Sequence, residues 1–288
     1  MKIAVTGTTG HLGRLTIEAL LQGDTEVSDV IALARDTERA SQSLRADMEI
    51  RYADYDSSET LDAALTGVDT LVLISSNAVG QRSRQHRNVI DAAQRAAVSR
   101  IVYTSVLGAR EARFSPVAGE HVVTEDLLHA SGIPTTILRN GWYTENFVDS
   151  ARQAMETGEL LGNTHGGKIA SASRADYAQA AAVVAATDGH EGQTYELSGD
   201  WAWTYADLAV ILTELSGRDV HSRDVSEEFH LDALVALAGM DEALAGFVVA
   251  VDQAIAAGEL AKQTGELSVL IGHPTTDVTQ TLAEALSR

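Results

Sequence analysis

Residues 1–35 constrain the fold more than any other part of the chain. Lys2-Ile3-Ala4-Val5-Thr6 is short, apolar and β-branched, the pattern of a buried strand. It runs straight into Gly7-Thr8-Thr9-Gly10-His11-Leu12-Gly13, then into a helical pattern of Leu12, Leu15, Thr16, Ala19 and Leu20. Val30-Ile31-Ala32-Leu33-Ala34 is a second apolar strand, ending at Arg35. Glycine is needed where backbone turns tightly, or approaches a ligand or another backbone with no Cβ in the way. At a helix N-terminus, free N–H groups and the positive end of the helix dipole both favour an anionic phosphate. The glycines alone would allow a plain structural turn. Their place inside a βαβ unit favours a dinucleotide site.

The spacing is G-x-x-G-x-x-G rather than the G-x-G-x-x-G of most dehydrogenases. The end of the second strand discriminates between cofactors. An acidic side chain there would hold the ribose 2′-hydroxyl of NAD, whereas an arginine accommodates the 2′-phosphate of NADP. Here Arg35 ends the strand and Asp36 follows. A guanidinium grips a phosphate through two parallel hydrogen bonds, so NADPH is favoured over NADH. The competing arrangement is a solvated Arg35 paired with Asp36.

Composition removes several classes of function. A formal net charge of −20 and a pI near 4.7 argue against a nucleic acid or an anionic membrane as partner. Cysteine is absent, which excludes disulfides, thiolate catalysis and Cys-ligated metals. The histidines form no His-x-x-x-His or His-Glu-x-x-His pattern, so no metal is expected. No apolar run spans a bilayer: 178–186 is too short, and 247–257 is broken by Asp252. The first strand leaves no room for a signal peptide, and a cytoplasmic protein is expected.

Beyond Arg35, helices are expected over 37–44, 57–65, 81–97 and 120–130, alternating with strands over 48–52, 68–75, 101–105 and 134–138. The alternation predicts an α/β Rossmann fold, a doubly wound parallel sheet with helices on both faces. Ligands lie beyond the carboxyl ends of such strands. The glycine turn, Arg35, Asp54, Tyr55, Ser75, Ser76, Asn77, Ser105, Asn140, Gly141, Trp142 and Tyr143 therefore become candidates. After residue 150 the pattern changes. Residues 168–173 and a helix over 175–186 read as one more sheet element with its helix. A short strand follows over 195–198, and Thr204-Tyr205-Ala206-Asp207 opens a helix with a capping box. Residues 226–258 and 277–286 read as helical. The expected division is a dinucleotide-binding domain over 1–150, to which 166–188 return. Residues 151–165 and 189–288 form a smaller, mostly helical C-terminal cap.

Carbonyl-reducing short-chain dehydrogenases use a Tyr-x-x-x-Lys pair whose tyrosine donates the proton. None of the tyrosines here has a lysine four residues later, and the helix after Ser105 reads Glu120-His121-Val122-Val123-Thr124-Glu125. Acceptors that take a hydride readily need less help from an acid. His121 and Tyr143 remain as proton donors, with a surface or capping role as the alternative for His121. Trp142 reads equally well as core packing. No G-x-S-x-G elbow occurs, which argues against a hydrolase.

The glycine turn with Arg35, together with several longer strings, resembles a known family. The strings are Ala53-Asp54-Tyr55, Leu73-Ile74-Ser75-Ser76-Asn77, Val79-Gly80-Gln81-Arg82, Gln85-His86-Arg87-Asn88-Val89-Ile90, Tyr103-Thr104-Ser105, Leu138-Arg139-Asn140-Gly141-Trp142-Tyr143-Thr144-Glu145-Asn146, Lys168-Ile169-Ala170-Ser171 and Leu270-Ile271-Gly272-His273-Pro274-Thr275-Thr276. It is the NmrA-like, atypical short-chain dehydrogenase group. Within it the chain is similar to the type-2 NAD(P)H:quinone oxidoreductases, with triphenylmethane dye reductases as relatives. The resemblance implies flavin-free hydride transfer from NADPH to a quinone in a cleft between two domains. It implies Gly7 to Leu12 at the pyrophosphate, Arg35 at the 2′-phosphate, and Ser75, Ser76 and Asn77 along the cofactor. Arg139, Asn140, Gly141, Trp142, Tyr143 and Thr144 would lie at the nicotinamide. The loop over 108–117, rich in Arg and Glu, departs from the family pattern and bears on the acceptor more than on the cofactor.

The expected partner is therefore a small, quinone-like acceptor, with a homodimer as the alternative to a monomer. Two rival readings are a reductase of dyes, imines or activated ketones, and an NADP(H)-binding redox sensor without turnover. Arg35→Ala is expected to weaken NADPH selectively. An equal loss of NADH and NADPH affinity, measured by titration, would defeat the 2′-phosphate assignment.

Overall fold

Side chains alternate along a strand, so each strand of a covered sheet feeds two apolar layers. In β1 (Ile3–Val5), Ile3 and Val5 enter one layer and Ala4 the other. The computed structural model describes residues 1–236 and 239–287. It continues through α1 (His11–Gln22), β2 (Val30–Ala34), α2 (Thr37–Ser43), β3 (Glu49–Tyr52), α3 (Ser58–Ala64), β4 (Thr70–Leu73), α4 (Arg82–Arg95), β5 (Arg100–Val106), α5 (Ala118–Ser131) and β6 (Thr135–Asn140). There follow α6 (Val148–Thr157), β7 (Glu159–Gly162), α7 (Arg174–Ala186), β8 (Thr194–Leu197), α8 (Tyr205–Ser216), β9 (His221–Asp224), α9 (Glu227–Ala236), α10 (Glu242–Ala256), α11 (Glu266–Ile271) and α12 (Val278–Leu286).

The main sheet has seven strands in the order β3-β2-β1-β4-β5-β6-β8, and every pairing in it is parallel. Between β1 and β4 the order reverses, the switch point over which ligands sit in open α/β sheets. Leu12, Ile17 and Leu20 of α1, the alanines of α7 and Leu267 of α11 cover one face. Leu61 of α3, Val89 and Ile90 of α4 and Leu128 of α5 cover the other. This is the Rossmann fold expected from the alternation. No helix among the described residues is long and apolar enough to cross a membrane.

The structure departs from the sequence reading in the second half. The strand expected within the cap is β8, which extends the main sheet beside β6. Residues 168–173 form no strand of that sheet. Their backbone groups are shared among several neighbours: Ile169 exchanges hydrogen bonds with Trp203, and Ala170 N donates to Leu260 O. Ala172 accepts from Thr144 and donates to Trp142. A short alternating run such as Lys168-Ile169-Ala170-Ser171-Ala172-Ser173 carries the same pattern whether one strand or several loops answer it, which is why periodicity misled here. The helical stretch over 226–258 is two helices, and Asp241 caps the second by accepting from the N–H groups of Ala243 and Leu244. Positions 237 and 238 of that stretch lie outside the described residues. The capping box at Thr204 and Asp207 forms as expected.

A separate core of Phe147, Leu160, Trp203, Leu208, Leu212, Ile255 and Leu282 joins the C-terminal elements, and β7 pairs with β9 in a two-stranded sheet. A polar knot is buried beside this core. Asp252 of α10 accepts from Tyr205 Oη at 2.7 Å and from Asn163 N at 2.9 Å. His230 Nδ1 lies 2.6 Å from Asn163 Oδ1 and 3.3 Å from Asp252 Oδ2. Burial lowers the imidazole pKa, and a neutral ring donating from Nδ1 satisfies both contacts. Burial also pushes the Asp252 carboxyl up to about 6. A carboxyl whose folded pKa is raised stabilises the fold where it is protonated. Its contribution is full below the unfolded value and is lost as pH rises through about 6. Asp252→Asn, which lacks this titration, should gain stability relative to wild type between about pH 4 and 7, by on the order of 2 kcal/mol. Urea unfolding at the two pH values checks the sign; a difference independent of pH would refute the coupling.

Candidate functional site

The three glycines of the turn do different work. Gly7 has φ +64°, in the left-handed region. A Cβ on Gly13 would stand 2.4 Å from Gly7 O and 2.8 Å from Thr6 O, so helix and strand touch backbone to backbone. Gly10 opens α1, donates to Gly7 O at 2.9 Å, and leaves the helix N-terminus without a side-chain cap. Its neighbour Thr8 is fully buried, its hydroxyl donating to Leu33 O at 3.1 Å, and pins the turn to β2.

Above this turn runs a cleft of about 540 Å³, within the roughly 300–1,000 Å³ of small-molecule sites. Gly7, Thr9, Gly10, His11, Leu12, Gly13, Arg35, Asp54, Tyr55, Ser75, Ser76, Asn77 and Tyr143 all line it. The carboxyl ends of β1 to β4 thus converge as the fold requires. Asp36 is not paired with Arg35: its carboxylate accepts the N–H of Arg39 at 2.9 Å and caps α2. Arg35 stays exposed at the strand end.

The wall over 75–77 is held from behind by the first turns of α4. Ser76 N donates to His86 Nε2 at 3.0 Å, and Ser76 Oγ to Gln85 Oε1 at 2.7 Å. Arg82 Nε donates to Ser76 O at 2.7 Å while its Nη1 meets Glu120 at 3.2 Å. Burial, with the Arg82 cation beside it, pushes His86 down to about 3. The ring is therefore neutral and free to accept from Ser76. On the other side of the loop, Tyr55 donates to Ile74 O at 3.3 Å.

Several expected residues do not reach the cleft. Arg139 turns into a buried ion cluster, with Nη2 at 2.7 Å from Glu125 and Nη1 at 2.6 Å from Glu196. Ser105 donates to the same Glu125 at 2.7 Å, and Thr144 pairs with Ser171 at 2.8 Å. Buried side chains of this kind are satisfied by one another. His121 is buried against Tyr103 Oη at 2.7 Å. Burial, followed by the charge of Arg82, pushes it down to about 3, so it carries no proton to give at neutral pH. Gly141 and Trp142 face a different cavity, together with Val106, Leu107, Ala112, Ser115, Pro116, Val251, Ala254, Glu259 and Leu260. At Gly141 a Cβ would meet Tyr177 Oη at 2.8 Å and Leu197 O at 3.0 Å, so this glycine serves packing under β8.

At the end of the cleft remote from Arg35, Tyr143 lies beneath a residue that sequence reasoning missed. Arg174, the first residue of α7, places its guanidinium 5.3 Å above the Tyr143 ring. Its N–H is held by Glu145 at 3.0 and 3.1 Å and its Nη2 by Asn146 at 2.6 Å. Burial raises the Tyr143 pKa, which keeps the phenol protonated. Asn140, expected in the cleft, is buried and is not among the residues that line it; its Oδ1 and the Tyr177 Oη are buried without a hydrogen-bond partner. The signal for Arg174 was faint: a charged residue opening an alanine-rich helix. Arg82 and Gln85 also line the cleft, and both stand in strings that carried the resemblance.

A family model described as NAD(P)H-binding matches residues 7–188. Quinone oxidoreductase 2 of Escherichia coli (strain K12) is 46% identical over 285 residues, covering 99% of this chain and 97% of its own. A crystal structure of NADPH-dependent quinone oxidoreductase from Escherichia coli, complexed with NADPH, matches with a TM-score of 0.94 at 45% identity, covering 98% and 99% of the two chains. The triphenylmethane reductase of Citrobacter sp. matches with a TM-score of 0.95 at 38% identity, covering 100% of both chains. With the glycine cradle, the switch-point cleft and this similarity along its whole length, the chain belongs to the NAD(P)H-binding oxidoreductase family that includes quinone oxidoreductase 2.

Proposed function

We propose that the protein binds NADPH in the switch-point cleft and reduces a quinone or a similarly electrophilic small molecule. The observation that carries this reading is one continuous cleft. It joins the glycine turn and Arg35 at one end to Tyr143 and Arg174 at the other. Bound there, NADPH supplies the hydride. The chain supplies position and charge. Arg35 grips the 2′-phosphate, and the uncapped N-terminus of α1 takes the pyrophosphate. Asn140 Oδ1, a buried acceptor without a donor, suits an amide N–H at the nicotinamide end.

Hydride addition to a quinone leaves an oxyanion, and one proton completes the hydroquinone. The Tyr143 phenol, kept protonated by burial, donates a hydrogen bond to that oxygen as charge arrives, and solvent restores any proton it gives. A quinone accepts hydride without strong acid assistance, so the absence of a Tyr-x-x-x-Lys pair suits this chemistry and not the reduction of plain ketones. Arg174 contributes a positive charge to the half of the cleft that holds no 2′-phosphate.

Absorbance at 340 nm should fall when a soluble quinone is added with NADPH, and more slowly with NADH. Tight cofactor binding without consumption by quinones, dyes or activated ketones would favour a sensor instead. Arg174→Ala should weaken NADPH and NADH alike, by about tenfold, the effect of one lost charge-assisted contact. A loss confined to NADPH would move Arg174 to the 2′-phosphate and overturn its assignment.

A further inference from the structure

The apolar cavity beside Gly141 and Trp142 has room for only about 30 Å³, on the order of one water. A quinone ring does not fit it. An acceptor reaches this cavity only if a wall gives way, and the walls differ in how they are held. On the α10 side, Trp142 stacks on Phe247 with centroids 6.4 Å apart. Val251 and Ala254 flank Asp252, which is bonded to Tyr205 and Asn163. That wall is tied into the C-terminal core.

The facing wall belongs to residues 107–116. Its base is anchored: Gly108 N donates to Glu196 at 2.8 Å, and Arg110 meets Glu125 at 3.4 Å and Asp126 at 2.6 Å. Its outer turn is held by one carboxylate from beyond α10. Glu259 Oε1 accepts from Arg113 N at 2.6 Å and Phe114 N at 2.9 Å, and Oε2 accepts from Ser115 N at 3.0 Å. Consecutive N–H groups converging on one point make an anion-binding concavity, filled here by the chain's own side chain. Glu259 and Ser115 also line the cavity, and Phe114, next to Ser115 in the turn, is 51% exposed.

Building on the hydride-transfer reading of the adjoining cleft, we propose that Glu259 determines acceptor specificity by latching residues 113–115 across the acceptor cavity. Release of the turn admits an acceptor ring. The latched cavity has no room for a ring, so every acceptor displaces the turn; a small ring displaces it less and keeps more of the three hydrogen bonds than a bulky one, which forgoes them all. The latch thus discriminates by size, through a difference in binding between the closed and open states. Glu259 acts through the loop it positions.

Glu259→Gln and Glu259→Ala, made in the full chain, test this with benzoquinone and a bulky anthraquinone sulfonate as acceptors. The ratio of kcat/KM for bulky over small quinone should rise about tenfold in Glu259→Ala, the size of one lost charge-assisted contact. Glu259→Gln, which keeps one acceptor oxygen, should fall between. The change should appear mainly as a lower KM for the bulky quinone with little change of kcat, and with NADPH affinity by fluorescence titration unchanged. An unchanged ratio in the isosteric Glu259→Gln and in Glu259→Ala overturns the latch. So does a parallel loss for both quinones accompanied by weaker NADPH binding, which is damage to the fold. If the wild-type protein reduces neither quinone, the failure lies with the hydride-transfer reading, and the latch falls with it.

Discussion

A buried guanidinium between two carboxylates ties the halves of this molecule together. Arg139, near the end of β6, is bonded to Glu125 of α5 and Glu196 of β8. Glu125 also takes the hydroxyl of Ser105 at the end of β5. Glu196 also takes the N–H of Gly108 and, through its own N–H, bonds to Glu266 at the start of α11. Three strands, two helices and the base of the acceptor loop therefore meet on one charge cluster. Desolvating such charges is costly, and they are tolerated because nearly every lone pair and proton has a partner. Removing one member leaves a buried charge uncompensated, at a cost of about 3–5 kcal/mol. The cluster contributes no atom to the cofactor cleft, yet it fixes the relative positions of both walls around it.

The sequence showed the cofactor half of the site far more plainly than the acceptor half. The glycine turn, Arg35, Asp54 and Ser75 to Asn77 follow directly from strand ends, because a parallel sheet delivers those ends to one edge. Arg139 follows the same rule and yet points away. Alternation along β6 assigns a face but not a partner, and the acids that claim it come from α5 and β8. Arg174 was faint and Glu259 invisible for a related reason. Each gains its role from a neighbour distant in the chain, Tyr143 in one case and residues 113–115 in the other. The swap between 168–173 and β8 has another cause. Both stretches are short and apolar enough to be strands, and only competition for the edge of β6 decides between them.

Removing the usual proton relay shifts the chemical burden to the acceptor. The two histidines near β5 and α4 are held neutral by burial, at about 3, and serve as scaffold. Nothing in the hydrophobic layer behind β4 and β5 delivers a proton on demand. Of the two phenols that line the cleft, Tyr55 donates to Ile74 O, and Tyr143 sits under a cation and is kept protonated. Such a site can polarise an oxygen that already attracts electrons, but it cannot drive the protonation of an inert carbonyl.

The two walls of the site also differ in what holds them, and this separates cofactor choice from acceptor choice. The cofactor wall rests on contacts between main chains, Gly13 against Thr6 and Gly7, where no side chain can be added without moving a helix. The acceptor wall rests on one side chain reaching main-chain groups of a loop. Main-chain N–H groups are present whatever side chains other than proline the turn carries, so residues 113–115 can change while Glu259 still closes it. A loop that carries Arg110, Glu111 and Arg113 is therefore compatible with an unchanged cofactor site. Selectivity toward the acceptor can drift residue by residue on one side of Trp142 while the dinucleotide cradle on the other side stays fixed by backbone geometry.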